Sequence, residues 1–145
     1  MEPIEIAIEL AKLLVAIIGA IGVAWFWNRE KDRLERYQYF DKSYSDILEI
    51  YFQNPRLGRP ELAARYSHVF EDDEAWRYHY FALRVHTFLE SIFDLSGGKV
   101  PVAWRHIYRH QVSLHSAWLR NHPHLHDPRY FADAINGLSA QSDAP

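Results

Sequence analysis

The spacing of apolar positions changes once along the chain, at Asn28. Before it, Leu13 to Trp27 is uncharged. At about 1.5 Å per residue that run is short of a ~30 Å hydrocarbon core. Extending it back to Ile4 supplies the length and brings in Glu5, Glu9 and Lys12. After Asn28 the apolar positions recur at three and four. Tyr37, Phe40, Tyr44, Ile47 and Tyr51 form a seam that predicts one helix, a stalk as well as a packing element, ending near Gln53. "NPRLGRPEL" stops it through Pro55, Gly58 and Pro60. A short helix from Pro60 to about His68 is expected next. Tyr78, Phe81, Val85, Phe88, Ile92 and Leu95 mark a central helix, opened by acidic residues 71–74 and stopped at Gly97. Pro101 opens another at its first turn, running to about Asn121 before Pro123. Asp127-Pro128 caps a last short helix closed by Asn136-Gly137, and the tail from Ser139 reads as disordered. No strand alternation of any length appears. The expected fold is all-α: an apolar anchor over 1–27, a helical bundle of three long and two short helices over 28–138, and a tail over 139–145.

A secretory signal would place positive charge before the apolar run and a small-residue cleavage site after it. Here the order is reversed. Glutamates precede the run, then Trp25, Phe26 and Trp27 form an aromatic belt ahead of Arg29, Lys31, Arg33 and Arg36. The bias of basic residues puts the N-terminus outside and the body in the cytoplasm, with the lipid bilayer as first partner. A buried core helix is the competing interpretation of the same run. Glu2, Glu5, Glu9 and Lys12 follow spacings of three, four and three, so they share one face that continues to Ala16 and Gly19. Ala16, Ala20 and Ala24 form a small-xxx-small series. Small residues let helix backbones approach, and ionisable groups at membrane depth face a partner or water. Self-association through this helix follows, around a polar lumen. The alternative is that Glu5 and Glu9 lie at the outer interface of a tilted helix.

Composition narrows the chemistry. With 145 residues, 48% of them hydrophobic, the chain has room for one packed domain and an accessory segment. A net charge of -3 gives no global drive toward nucleic acid. There is no cysteine, which excludes disulfides and thiolate zinc sites. No cofactor is implied.

Six of the nine histidines fall between Pro101 and Asp127. On a helix from Pro101 to Asn121, residues Leu114, Ile107, Trp118, Gln111, Trp104, His115, Tyr108, Leu119 and Val112 occupy one continuous arc, the expected buried side. Arg105, Arg109 and Arg120 make a basic stripe on the remainder, with His106 and His110 beside it one turn apart. That face has several readings. His106 and His110 have metal-ligand spacing without a nearby carboxylate, and His122, His124 and His126 with Asp127 could add ligands from an extended loop. No metal is assigned on that basis. An arginine that stabilises a pentavalent phosphate and a histidine that moves the 2′-hydroxyl proton would suit RNA cleavage without metal. The stripe could instead bind a protein partner, an anionic headgroup or another copy, or be a solvated face without a role.

"RHIYRH", 105–110, resembles the Arg-[Asn/Asp/His]-x3-His motif of HEPN-type helical domains, in which motifs from two protomers build one ribonuclease site. The resemblance implies Arg105 as phosphate ligand, His110 as acid/base and His106 as the polar second position. Of three Arg-x4-6-His pairs here, Arg109–His115 puts its histidine in the apolar arc and Arg120–His126 is interrupted by Pro123. Arg105 and His110 still lie about 140° apart around the helix axis, so two copies or flexible side chains must bring them together. The whole is similar to bacterial single-pass proteins in which a transmembrane helix runs into a helical cytoplasmic domain through a "YF…NPRL" segment, here Tyr39-Phe40 and residues 54–57. More distantly it is similar to the membrane-anchored HEPN-like ancillary protein of type VI-B CRISPR systems. These resemblances imply a bacterial inner-membrane location, homo-oligomerisation, a pore-like or scaffolding role and participation in antiviral defence or stress response. The alternative they imply is a membrane-tethered ribonuclease using Arg105 and His110, with RNA as ligand.

Overall fold

Nothing between Pro3 and Pro55 removes a backbone N–H, and the chain forms one uninterrupted helix over that interval, α1 (Pro3–Gln53). The computed structural model describes residues 3–142. After α1 come a 3-10 turn (Pro55–Gly58), α2 (Pro60–Ala63), α3 (Tyr66–Val69), α4 (Asp72–Leu95), α5 (Val102–Leu114), α6 (Ser116–Asn121), a second 3-10 turn (Pro123–Leu125) and α7 (Pro128–Ser142). No strand occurs among the described residues, so the all-α expectation holds.

The chain divides into two compact units, one up to Tyr39 and one from Phe40 onward. In the first, apolar side chains face outward all round the helix: Val15 is 71% exposed, Ile18 68% and Trp27 66%. This is the one helix among the described residues long and apolar enough to cross a membrane. Its most apolar 18-residue window has a mean hydropathy of 2.3 and none of it is buried. Polar residues here pair along the helix, Lys12 with Glu9 at 2.8 Å and Lys31 with Glu35 at 3.7 Å. Such exposed pairs add little stability.

The second unit has its own core. The seam of α1 is realised in Phe40 and Ile47, both buried, with Tyr44 and Tyr51 half-buried. Phe40, Tyr44, Phe88 and Trp104 pack ring against ring at centroid separations of 5.8–6.5 Å, joining α1, α4 and α5. In α4 the seam residues Tyr78, Phe81, Val85, Phe88 and Ile92 are buried. Leu95 is not; it is 45% exposed, because the chain turns away at Gly97 and Gly98, whose φ angles of 65° and 80° favour glycine.

Other boundaries differ from expectation. The helix from Pro60 to His68 is broken into α2 and α3 by a turn at Ala64–Arg65. Pro101 is the residue before α5 and not its first turn, giving its carbonyl to Trp104. The helix to Asn121 bends at His115 (φ -105°, ψ 21°), where the ring is held from both sides by tyrosines of other helices. Asp127 caps α7 through the Arg129 N–H at 2.8 Å, but Asn136-Gly137 does not end it. One glycine costs a helix only about 1 kcal/mol, so α7 runs on to Ser142 through part of the tail read as disordered. Residues 143–145 of that tail lie outside the described residues.

Candidate functional site

The amphipathic pattern of α5 and α6 is realised. Trp104, Tyr108, Gln111, Val112, His115, Trp118 and Leu119 are buried and the arc's other two members, Ile107 and Leu114, are half-buried, while Arg105, His106, Arg109, His110 and Arg120 are exposed. The rings of His106 and His110 stack at 6.5 Å with an interplanar angle of 13°. His110 lies between two grooves. One of about 530 Å³ is lined by Tyr44, Tyr51, Phe52, Gly58, His110 and Gln111 among others. The other, of about 320 Å³, includes Pro60, Ser113 and Ser116. Arg105 lines neither groove. Within one chain, therefore, the two residues share the exposed side of one helix but neither of these grooves.

What the sequence did not signal is the polar interior beneath that groove. Tyr51 donates its hydroxyl proton to Gln111 Oε1 at 2.9 Å. Its oxygen, 2.9 Å from His115 Nε2, is then left to accept, so Nε2 carries the ring proton. His115 Nδ1 must accept from the Tyr78 hydroxyl at 2.9 Å. The same logic fixes His86: Nε2 faces the His115 carbonyl at 3.4 Å and Nδ1 takes the Tyr130 hydroxyl at 2.7 Å. Both rings are neutral in this arrangement, each with one nitrogen donating and the other accepting.

Burial acts on every member. It lowers the His115 pKa to about 3, with His110 adding repulsion, and holds His86 well below the usual histidine range, with His115 and His126 adding to it. Burial also pushes the Tyr51, Tyr78 and Tyr130 hydroxyls up. Tyr108 is raised by burial and by the Asp133 carboxylate, to which it donates at 3.0 Å.

Trp118 is the hub of the remaining histidines. It stacks on His86 (5.6 Å) and His122 (4.5 Å), meets His126 edge-on (5.8 Å), and donates its indole N–H to His79 Nδ1 at 3.2 Å. Burial, then His122, lowers the His79 pKa. His126 donates Nδ1–H to Glu90 at 3.0 Å, and Glu90 also accepts from the Asp127 N–H at 2.8 Å. The His126 Nε2 atom is buried with no partner among the described residues. The expected extended loop with His122, His124 and His126 on one side is thus replaced by a 3-10 turn. His126 is buried, His122 half-buried and His124 exposed. Among the described residues no three His, Asp or Glu side chains come together to hold a metal ion.

A signal for part of this interior existed. His115 and Gln111 fall in the apolar arc, and a polar group on a buried arc requires partners. The partners' identity did not follow, because Tyr51 and Tyr78 come from seams read as purely apolar.

In the anchor, Glu5, Glu9 and Lys12 are exposed on the helix, as are Ala16, Gly19, Ala20 and Ala24. Nothing lies within 4 Å of the place a Cβ would occupy at Gly19, so this face is open to a neighbour. Compared with known protein families, with curated proteins and with solved structures, the chain matches none.

Proposed function

We propose that this chain is a membrane-anchored helical module that associates with itself, serving as a pore-like or scaffolding effector in bacterial antiviral defence or stress response. What carries the anchor reading is the first unit of the chain. A soluble helix hides an apolar stripe, yet here the apolar window of α1 is bare on every side. In a bilayer each Leu, Ile, Val or Phe of that window contributes roughly -0.3 to -0.6 kcal/mol at mid-membrane, whereas in water all of it is exposed. Glu5, Glu9 and Lys12 lie toward one end of the run, where the cost of charge is smallest. The aromatic belt and the basic residues from Arg29 support an inner-membrane location with the N-terminus outside and the body in the cytoplasm. Self-association is supported by the open small-residue face of Ala16, Gly19, Ala20 and Ala24 beside Glu5 and Glu9. The test is the size of the full-length protein in mild detergent. A defined oligomer that Glu5→Leu with Glu9→Leu dissociates or resizes supports the reading; a monomer in every detergent refutes self-association.

One observation favours a second reading, a membrane-tethered ribonuclease. His110 is exposed at the edge of a groove, and Arg105 is exposed on the same helix without an ion pair among the described residues. Two copies brought together by the anchor would then supply Arg105 and His110 to one phosphate. Intact cellular activity in both Arg105→Ala and His110→Ala would eliminate this reading.

A further inference from the structure

We propose that His86 and His115 form an acid-operated latch: proton uptake at these two rings opens the packing of α4, α5, α6 and α7 around Trp118. The inference rests on the core of the second unit alone and holds whether or not α1 crosses a membrane.

The geometry leaves no room for a second proton on either ring. His115 Nδ1 already accepts the Tyr78 hydroxyl proton, and His86 Nδ1 that of Tyr130. A protonated ring would point N–H at O–H in both places. The hydroxyls could turn only by finding new acceptors, and both tyrosines are fully buried. The surroundings do not favour a cation either. From α1, His115 meets Tyr51; from α4, Tyr78 and the His86 ring; from its own helical run, Gln111 and the more distant His110. His86 meets Tyr130 from α7, Trp118 from α6 and His126 from the turn that precedes α7. The nearby carboxylates are already engaged: Glu90 binds His126 and the Asp127 N–H, and Asp133 accepts from Tyr108. His79 and His122, which meet Trp118 from the other side, offer no negative charge to offset one on the latch rings. Two charges in this core would also lie close together, since the His86 and His115 ring centroids are 6.4 Å apart.

The direction follows from linkage. Burial depresses both histidines below the ordinary value near 6.5, His115 to about 3. The unfolded chain therefore binds more protons than the folded one throughout the interval between those values. Stability from these groups is fully present above pH 6.5 and is lost as pH falls toward 3. Carboxylates titrate mainly below this upper part of the window, near pH 4. The interval from 7.5 to 5 therefore isolates the histidines.

The experiment is urea unfolding of the full-length chain in detergent micelles at pH 7.5, 6.5, 5.5 and 5.0, read by tryptophan fluorescence. His115 is expected to raise the unfolding constant about 30-fold between pH 7.5 and 5, and His86 to add a further rise in the same direction. His115→Gln keeps one donor and one acceptor without a titrating ring, and should remove about 30-fold of that rise. His86→Gln is measured the same way and carries the comparison if His115→Gln does not fold at pH 7.5. His68→Gln, at an exposed histidine, should change nothing. A wild-type rise of less than 10-fold overturns the latch whatever the variants do. An undiminished rise in a folded His115→Gln or His86→Gln variant overturns the assignment to that ring.

Discussion

Replacing Gly58 with alanine is the most informative single change the structure offers. The φ of Gly58 is not in the left-handed region, so by backbone conformation alone the substitution should stabilise the chain by about 0.4–1 kcal/mol through the unfolded state. The packing predicts the opposite. A Cβ at Gly58 would lie 2.5 Å from Tyr51 Cδ1 and closer still to Cε1, whereas ordinary contact begins at 3.4 Å. The ring must withdraw by about 1 Å or more to accept the methyl group, given the contact distances real structures show. Its hydroxyl is held at 2.9 Å by both Gln111 and His115, and neither bond survives such a displacement. Gln111 is 3% exposed and His115 0%, so water cannot replace the lost partner freely. Two lost hydrogen bonds at about 1 kcal/mol each, with the penalty for leaving their partners unsatisfied, come to about 2–4 kcal/mol, well above the backbone gain. Urea unfolding of full-length Gly58→Ala in detergent, followed by tryptophan fluorescence, measures the net effect. Tyr51→Phe removes the same hydroxyl without the clash, so the double variant should cost clearly less than the sum of the two. A Gly58→Ala protein as stable as the wild type, or additivity in the cycle, would refute the idea that this glycine exists to seat Tyr51 on His115.

Asp127→Ala removes the cap on α7 and should cost about 1 kcal/mol in the same assay, with loss of helix signal confined to a few residues. Leu14→Arg with Ile18→Arg places two charges in the bare apolar window. At roughly 3 kcal/mol each near mid-membrane they should shift the protein from the membrane pellet to the soluble or degraded fraction, and unchanged pelleting would count against the anchor. Arg105→Ala and His110→Ala alter exposed positions and should each leave the urea midpoint within about 0.5 kcal/mol of wild type, so that any loss of cellular activity reports on function and not on folding.

The parts of this architecture that were legible in the sequence are those governed by short-range periodicity. The seams through Phe40 and Ile47 and through Tyr78 to Ile92 are helical repeats of apolar residues, and such a repeat has one physical solution when a core is available. The arc of α5 was legible for the same reason, down to the burial of Gln111 and His115. What periodicity cannot carry is the identity of a partner 60 residues away. The Tyr51 hydroxyl meets Gln111 across that separation and His115 across 64 residues, and no local pattern encodes either meeting. Counting histidines misleads for the same reason. The chain's richness in histidine between Pro101 and Asp127 offered metal-ligand and reactive readings, yet His126 is turned inward and His122 is half-buried against Trp118. Among the residues left on the surface, Arg105, His106 and His110 are the ones whose proposed role depends on a second copy or a ligand. The interior histidines need neither to acquire a property. For His86 and His115, burial and the tyrosine hydroxyls favour the neutral ring, which makes the core, rather than the exposed motif, the place where this sequence's richness in histidine has its most direct physical consequence.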